Sequence, residues 1–249
     1  MVDKQEAIRM AQEYYQNAMR LEKEGDFKGA IENYKKSLSI NNNADMPFWG
    51  WVNMGNAYKN LEYYADAVKC YRNMIPLLES RHDEHGIHYC HYYIMYCKSK
   101  MGNYDNEFVS LAEIEANGGD PIGRYGAYGM LSAYYRDAAK NLEEAEKYGV
   151  MQLELAIMLM GKSFINHKHL SMICKNLAWV VSAYKSNKYK GSELFYLRKS
   201  IEICRKYNDF PGEYKSITDR ILQLNQITQI VPQHTAMESR AAAILSKIL

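Results

Sequence analysis

The sequence predicts an all-α fold, an α-solenoid of about five helix pairs with capping helices at its C-terminal end. Three observations predict it. Small residues recur twelve positions apart along the chain. Aromatic residues stand at fixed offsets from them. Only 5 prolines occur in 249 residues, which permits long helices.

The repeat is clearest when "NAMRLEKEGDFKGAIENYKKSL" (17–38) is set beside "NMGNAYKNLEYYADAVKCYRNMI" (53–75). Ala18 precedes Ala30 by the interval that separates Gly55 from Ala67. Tyr34 and Tyr71 follow the alanines by one turn, and Phe27 and Tyr64 precede them. The short breaks "EGDF" and "LEYY" lie between the small residues. The pattern reads as helix, tight turn, helix, with small residues where two helices cross most closely. Glycine inside a helix costs about 1 kcal/mol relative to alanine, and the expected compensation at Gly55 is close approach of the paired helix, with Ala67 opposite.

Trp51, Met54, Gly55 and Tyr58, followed by Ala67 and Tyr71, stand in an order that resembles the tetratricopeptide repeat (TPR). In the first unit Tyr14, Ala18, Leu21, Gly25, Ala30, Tyr34 and Ser37 occupy the same slots. The family's repeat is about 34 residues long; here the units are longer. Repeats are expected near 11–43, 48–81, 88–121, 126–159 and 170–206. In the third, Gly102 and Tyr104 keep the turn, but Met95 and Glu107 stand where small residues belong. In the fourth, Ala133 and Ala145 restore the spacing. The repeat array is expected to fill residues 1–210, and 211–249 to supply the end pieces. The resemblance implies a right-handed superhelix.

A solenoid exposes its last apolar face, which a capping helix covers. "PGEYKSITDRILQLNQ" (211–226) offers Ile217, Ile221, Leu222 and Leu224 for that role. The tail "AMESRAAAILSKIL" sets Met237, Ala241, Ile244, Leu245 and Ile248 on one helical face. Such a helix has three roles open to it: capping the last repeat, docking in the chain's own groove, or forming a homodimer with a second copy.

Composition narrows the function classes. Hydrophobic residues make up 47% and charged residues 24% of the chain, and the net charge is +2 from 31 basic and 29 acidic residues. Without a basic excess, nucleic acid is not the expected partner. The most apolar stretch, "VMQLELAIMLM" (150–160), is too short to span a bilayer and is broken by Gln152 and Glu154, so no membrane role is expected. Five scattered cysteines with no CxxC pair read as reduced, buried thiols. The opening residues "MVDKQEAIRM" hold no apolar signal core, and a cytoplasmic location is expected.

The 22 tyrosines must pack between helices or line a binding surface. In the TPR family the first helix of each repeat lines a concave groove. Carried over, the lining positions are Gln12, Tyr15, Met19, Glu22 and Lys23; then Trp49, Val52, Asn56, Lys59 and Asn60; then Tyr89, Tyr92, Tyr96, Ser99 and Lys100. Trp51 is then a framework residue, while Trp49 faces the groove. Aromatics at helical spacing also serve as core, and both readings stand for these tyrosines. Tyrosine and tryptophan favour interfaces because they join an apolar body to a polar tip. The expected partner-binding set is Tyr15, Met19, Trp49, Asn53, Asn56, Tyr89, Tyr92 and Tyr96. One TPR subclass grips chaperone C-terminal carboxylates with a lysine, asparagine and arginine clamp. Only Asn53 matches it, so that role is not expected.

Catalytic motifs are scarce. "RHDEHGIHYCHYY" (81–93) carries His82, His85, His88 and His91 at every third position, a spacing that can offer two ligands to one metal. Gly86 should interrupt the helix there, so a histidine-rich loop entering a helix is the expected reading, with no metal and no cofactor. "GGDPIG" (118–123) lacks the lysine of a phosphate loop. The leading expectation is a non-catalytic adaptor holding a protein or peptide segment. The alternatives are a TPR-type, peptide-responsive bacterial regulator and a metal-dependent enzyme using residues 82–91.

Overall fold

One turn geometry recurs at the helix ends of the first half of the chain. The computed structural model describes residues 4–40, 47–163, 165–184, 189–208, 214–226 and 236–249. After α1 (Lys4–Lys23), Gly25 donates to the Glu22 carbonyl at 3.1 Å and Asp26 to the Leu21 carbonyl at 2.9 Å; α2 (Phe27–Ile40) then begins. The same pair of bonds forms at Glu62 and Tyr63 between α3 (Pro47–Asn60) and α4 (Tyr64–Ser80). It forms again at His82 and Asp83 before α5 (Glu84–Lys100), and at Gly102 and Asn103 before α6 (Asn106–Asn117). This is the Schellman arrangement: two terminal carbonyls are satisfied and the chain reverses within a few residues. It requires a left-handed residue, and Gly25, Glu62, His82 and Gly102 have φ of 83°, 61°, 55° and 67°.

The remaining helices are α7 (Pro121–Asp137), α8 (Leu142–Leu159), α9 (His167–Ser182), α10 (Lys190–Tyr207), α11 (Tyr214–Gln226) and α12 (Ala236–Leu245). The protein is all-α, with no strand among the described residues. The chain divides into two compact units, Met1–Leu111 and Ala112–Leu249.

In the first unit each of α1 to α5 packs against its neighbours in sequence. One cluster joins Ala18, Ala30, Ile31, Tyr34, Met54, Ala57 and Cys70. Another joins Val52, Ala67, Val68, Tyr71, Met74, Leu78, Cys90, Ile94 and Cys97. Trp51 and Tyr58 pack against both. Gly55 is a point of close approach to α4. A Cβ there would lie 3.0 Å from Tyr71 Cε1 and 3.2 Å from Cys70 Cβ, so the tyrosine one turn beyond Ala67 opposes it.

The third unit of the pattern departs from the first two for a visible reason. α6 starts four residues after Gly102, whereas α2 starts two after Gly25. Phe108 thereby takes the fully buried position, and Glu107 turns to the rim. There Glu107 pairs with Arg72 and, at 2.5 Å, with the buried ammonium of Lys98, which also meets Asp105. Met95 is fully buried, a use suited to a flexible side chain that fills irregular gaps. Gly86 does not interrupt α5. Its N–H is accepted by Asp83 at 2.9 Å, and a Cβ there would run into the Leu78 side chain. The glycine lets the first turn of α5 approach α4.

In the second unit α7 packs on α8, α8 on α9, and α9 on α10. Asp120 caps α7 by accepting from Gly123, with Pro121 at the first helical position. The small residue facing Ala145 is Ser132, whose hydroxyl donates to the Ala145 carbonyl at 2.7 Å; Ala133, one position on, is only partly buried. α11 buries Ile217 and Leu224, and α12 packs on α8 through Ala241, Ile244 and Leu245. Leu222 is exposed. The segment 227–235, with Pro232, lies outside the described residues. All five cysteines are free and buried. Among the described residues no helix is long and apolar enough to cross a membrane.

Candidate binding face of α1, α3 and α5

Three helical stripes in the first unit carry every expected binding residue. On α1, Tyr15, Met19 and Glu22 follow at i, i+4 and i+7; on α3, Trp49, Asn53, Asn56 and Asn60 continue the same spacing. On α5, Tyr89, Tyr93, Tyr96 and Lys100 do so again, with Tyr92 beside them. Residues at these intervals lie on one side of a helix.

Side-chain hydrogen bonds tie the stripes together. Asn53 Nδ2 donates to the Tyr15 hydroxyl at 2.9 Å, joining α3 to α1. Asn56 of α3 reaches α5, with its Nδ2 3.1 Å and its Oδ1 3.2 Å from the Tyr89 hydroxyl. The second helix of each pair supports this layer from behind. Tyr34, fully buried, donates to Glu22 Oε2 at 2.9 Å, and Tyr71, also fully buried, donates to Asn56 Oδ1 at 2.8 Å. Burial raises the phenols of Tyr15, Tyr34, Tyr71 and Tyr89 above the usual range, and pushes that of Tyr92 up to about 12. All remain neutral donors and acceptors at ordinary pH.

Tyr93 is the hub of the α5 side. Its ring lies 5.5 Å from Tyr71 at 21° and within 5.1 Å of both Tyr89 and Tyr92. The Lys59 ammonium sits 4.1 Å from its centroid, and Lys100 Nζ lies 5.5 Å from that of Tyr96. These are cation–π distances. Burial holds the Lys59 ammonium below the usual lysine range, countered in part by Cys97 and Glu22.

Exposure separates the two tryptophans. Trp49 is 52% exposed, whereas Trp51 is half-buried between the two core clusters. Met19 and Tyr89 are 38% and 37% exposed. Val52, a lining position in the family pattern, is instead in the core at 4%. Two contributors, Tyr93 and Lys59, were missing from the expected set. The stripe of Tyr89, Tyr93, Tyr96 and Lys100 is the sequence signal that holds Tyr93, and Lys59 stood among the lining positions without being selected.

The histidine stretch is placed differently. His82 is the left-handed turn residue before α5, while His85 and His88 lie in the first turns of α5. Among the described residues, no three His, Cys, Asp or Glu side chains come together so as to hold a metal ion.

No family model matches the sequence, and no curated protein matches it. Among solved structures the chain is similar to BtubC (BKLC) from P. vanneervenii, with a TM-score of 0.55 and 13% identity. That match covers 94% of this chain and 88% of the other. At this identity the likeness is one of fold.

Proposed function

We propose that the chain is a non-catalytic binding module of tetratricopeptide type, which holds a peptide or helical segment of a partner protein against α1, α3 and α5. The observation that carries the reading is the hydrogen-bonded layer in which Asn53 and Asn56 join Tyr15 to Tyr89 across three helices, beside exposed Trp49 and Met19. Such a layer is preorganised. Its rings and amides are held by neighbours, so a ligand immobilises few of them, which reduces the entropic cost of association. Trp and Tyr are the residue types that carry most binding energy at interfaces.

The test compares variants in capture from native extract. Trp49→Ala and Tyr92→Ala should lose a partner that the natural chain retains, weakening it by about 2 kcal/mol or more while leaving the melting temperature nearly unchanged. Trp51→Ala and Tyr71→Ala should instead cost about 3–5 kcal/mol of folding stability as core truncations. If all four behave alike, the assignment of faces fails.

A further inference from the structure

We infer that the segment held on this face is acidic, with a side-chain carboxylate seated on Lys59 and a second one reaching Lys100. The inference rests on the reading of α1, α3 and α5 as a partner-binding face.

Several cations of the first unit are already paired with acids. Arg9, Arg20, Lys69, Arg72 and Lys98 each have a carboxylate oxygen within 3.0 Å. Lys59 and Lys100, like Lys35 and Lys36 on α2, lie over tyrosine rings instead, but only Lys59 and Lys100 belong to α3 and α5. A ring attracts the ammonium, but it does not satisfy three N–H donors in the directed way that oxygen acceptors do. Lys59 is also half-buried, so part of its hydration is gone and an incoming carboxylate meets a weakly screened charge.

The surroundings favour the same ligand. Asn56 presents an amide beside the Lys59 position, and the hydroxyl of Tyr89 lies against it. A carboxylate there can accept from the ammonium and from the second N–H of the Asn56 amide, and charge-assisted bonds of this kind are stronger than neutral ones. Glu22 on α1, already accepting from Tyr34, also acts on Lys59 through its charge, so it partly offsets that ammonium and repels acid along α1. Tyr89, Tyr92 and Tyr96 then offer ring faces to apolar side chains spaced between the acids.

The probes are three fluorescent peptide pools of equal length, titrated against the full chain by anisotropy. One alternates glutamate with aromatic and aliphatic residues. The second has glutamine in place of glutamate, and the third lysine. The glutamate pool should bind tightest and weaken as salt is added. Lys59→Met should weaken it about tenfold or more, Lys100→Met less, and Lys28→Met on α2 not at all, with helicity and melting temperature retained. Equal binding of the glutamine pool, or binding unchanged by Lys59→Met, overturns the acidic inference. If Trp49→Ala and Tyr92→Ala still weaken those peptides, the face itself stands. If no pool binds, or binding ignores Trp49→Ala and Tyr92→Ala, both readings fall.

Discussion

The Tyr71 hydroxyl donates to Asn56 Oδ1 at 2.8 Å from a ring that is fully buried. The bond links the core of the second helix pair to the polar layer along α1, α3 and α5. Tyr71→Phe keeps the ring and removes the donor, which should cost about 1–2 kcal/mol in denaturant unfolding. The Tyr89 hydroxyl lies 3.2 Å from the same Asn56 oxygen and can take over part of its satisfaction. Tyr71→Phe with Tyr89→Phe should therefore cost more than the sum of the single changes. Strict additivity would show that the three groups do not act as one network.

Gly55 provides a second stability test. Alanine improves helix propensity by about 1 kcal/mol. At this position its Cβ would fall 3.0 Å from Tyr71 and 3.2 Å from Cys70, inside ordinary van der Waals contact. Neither neighbour is a free chain end, because Tyr71 is fixed by its ring packing and its bond to Asn56. Overpacking of this kind costs about 1–3 kcal/mol, so Gly55→Ala should lower the melting temperature despite its better propensity. A rise would show that α3 and α4 separate readily at the crossing.

These two sites show what the sequence makes legible and where it falls short. The helix pairs follow from spacing, because crossings need small residues and turns need a left-handed residue. The partner of each small residue does not follow. The atoms nearest Gly55 belong to Tyr71 and Cys70, and Ser132, one residue before Ala133, bonds the Ala145 carbonyl. A one-residue shift rotates a helix by about 100°, and in the third unit the two extra turn residues before α6 are enough to exchange Glu107 for Phe108. The stripes of α1, α3 and α5 were legible in the spacing of Trp49, Asn53 and Asn56 and of the α5 tyrosines. Tyr93 was not, since its role depends on contact with Tyr71 and Lys59 from other helices.

The buried thiols and phenols set an alkaline limit. Burial pushes Cys70, Cys90 and Cys174 up to about 12 and Cys97 up to about 11, and raises Tyr34, Tyr71, Tyr89 and Tyr196 beyond their usual range. In the unfolded chain these groups release protons near their ordinary values, about 8.5 for cysteine and about 10 for tyrosine. Their contribution is complete below those values and is lost as pH rises toward the folded ones, where the unfolded state binds fewer protons. Lys59 acts in the opposite sense, but it is one group against many. The melting temperature should hold steady up to about pH 8.5 and fall progressively above it, with phenolate absorbance from the buried rings appearing together with loss of helicity. Full tyrosine ionisation with helicity intact would contradict this account.

The C-terminal helix supplies the last test. The apolar face that could have joined two chains is turned inward: Ala241 and Leu245 are fully buried and Ile244 nearly so, against α8. Polar contacts fasten it further. Arg240 meets Glu154 of α8 at 2.5 Å, and Lys206 of α10 donates to the Ile248 carbonyl at 2.5 Å. Leu245→Ala should cost about 2–5 kcal/mol as a buried truncation. Removing residues 233–249 should lower both melting temperature and solubility, because it uncovers the apolar surface of α8. As a cap, α12 can be removed without changing the number of chains per particle in light scattering. A dimer that becomes a monomer on truncation would assign the helix to assembly, and tighter binding of the partner would assign it to self-inhibition. Each of these separates from capping, since a cap that is lost weakens the unit it covers and leaves both mass and affinity for the α1, α3 and α5 face as they were.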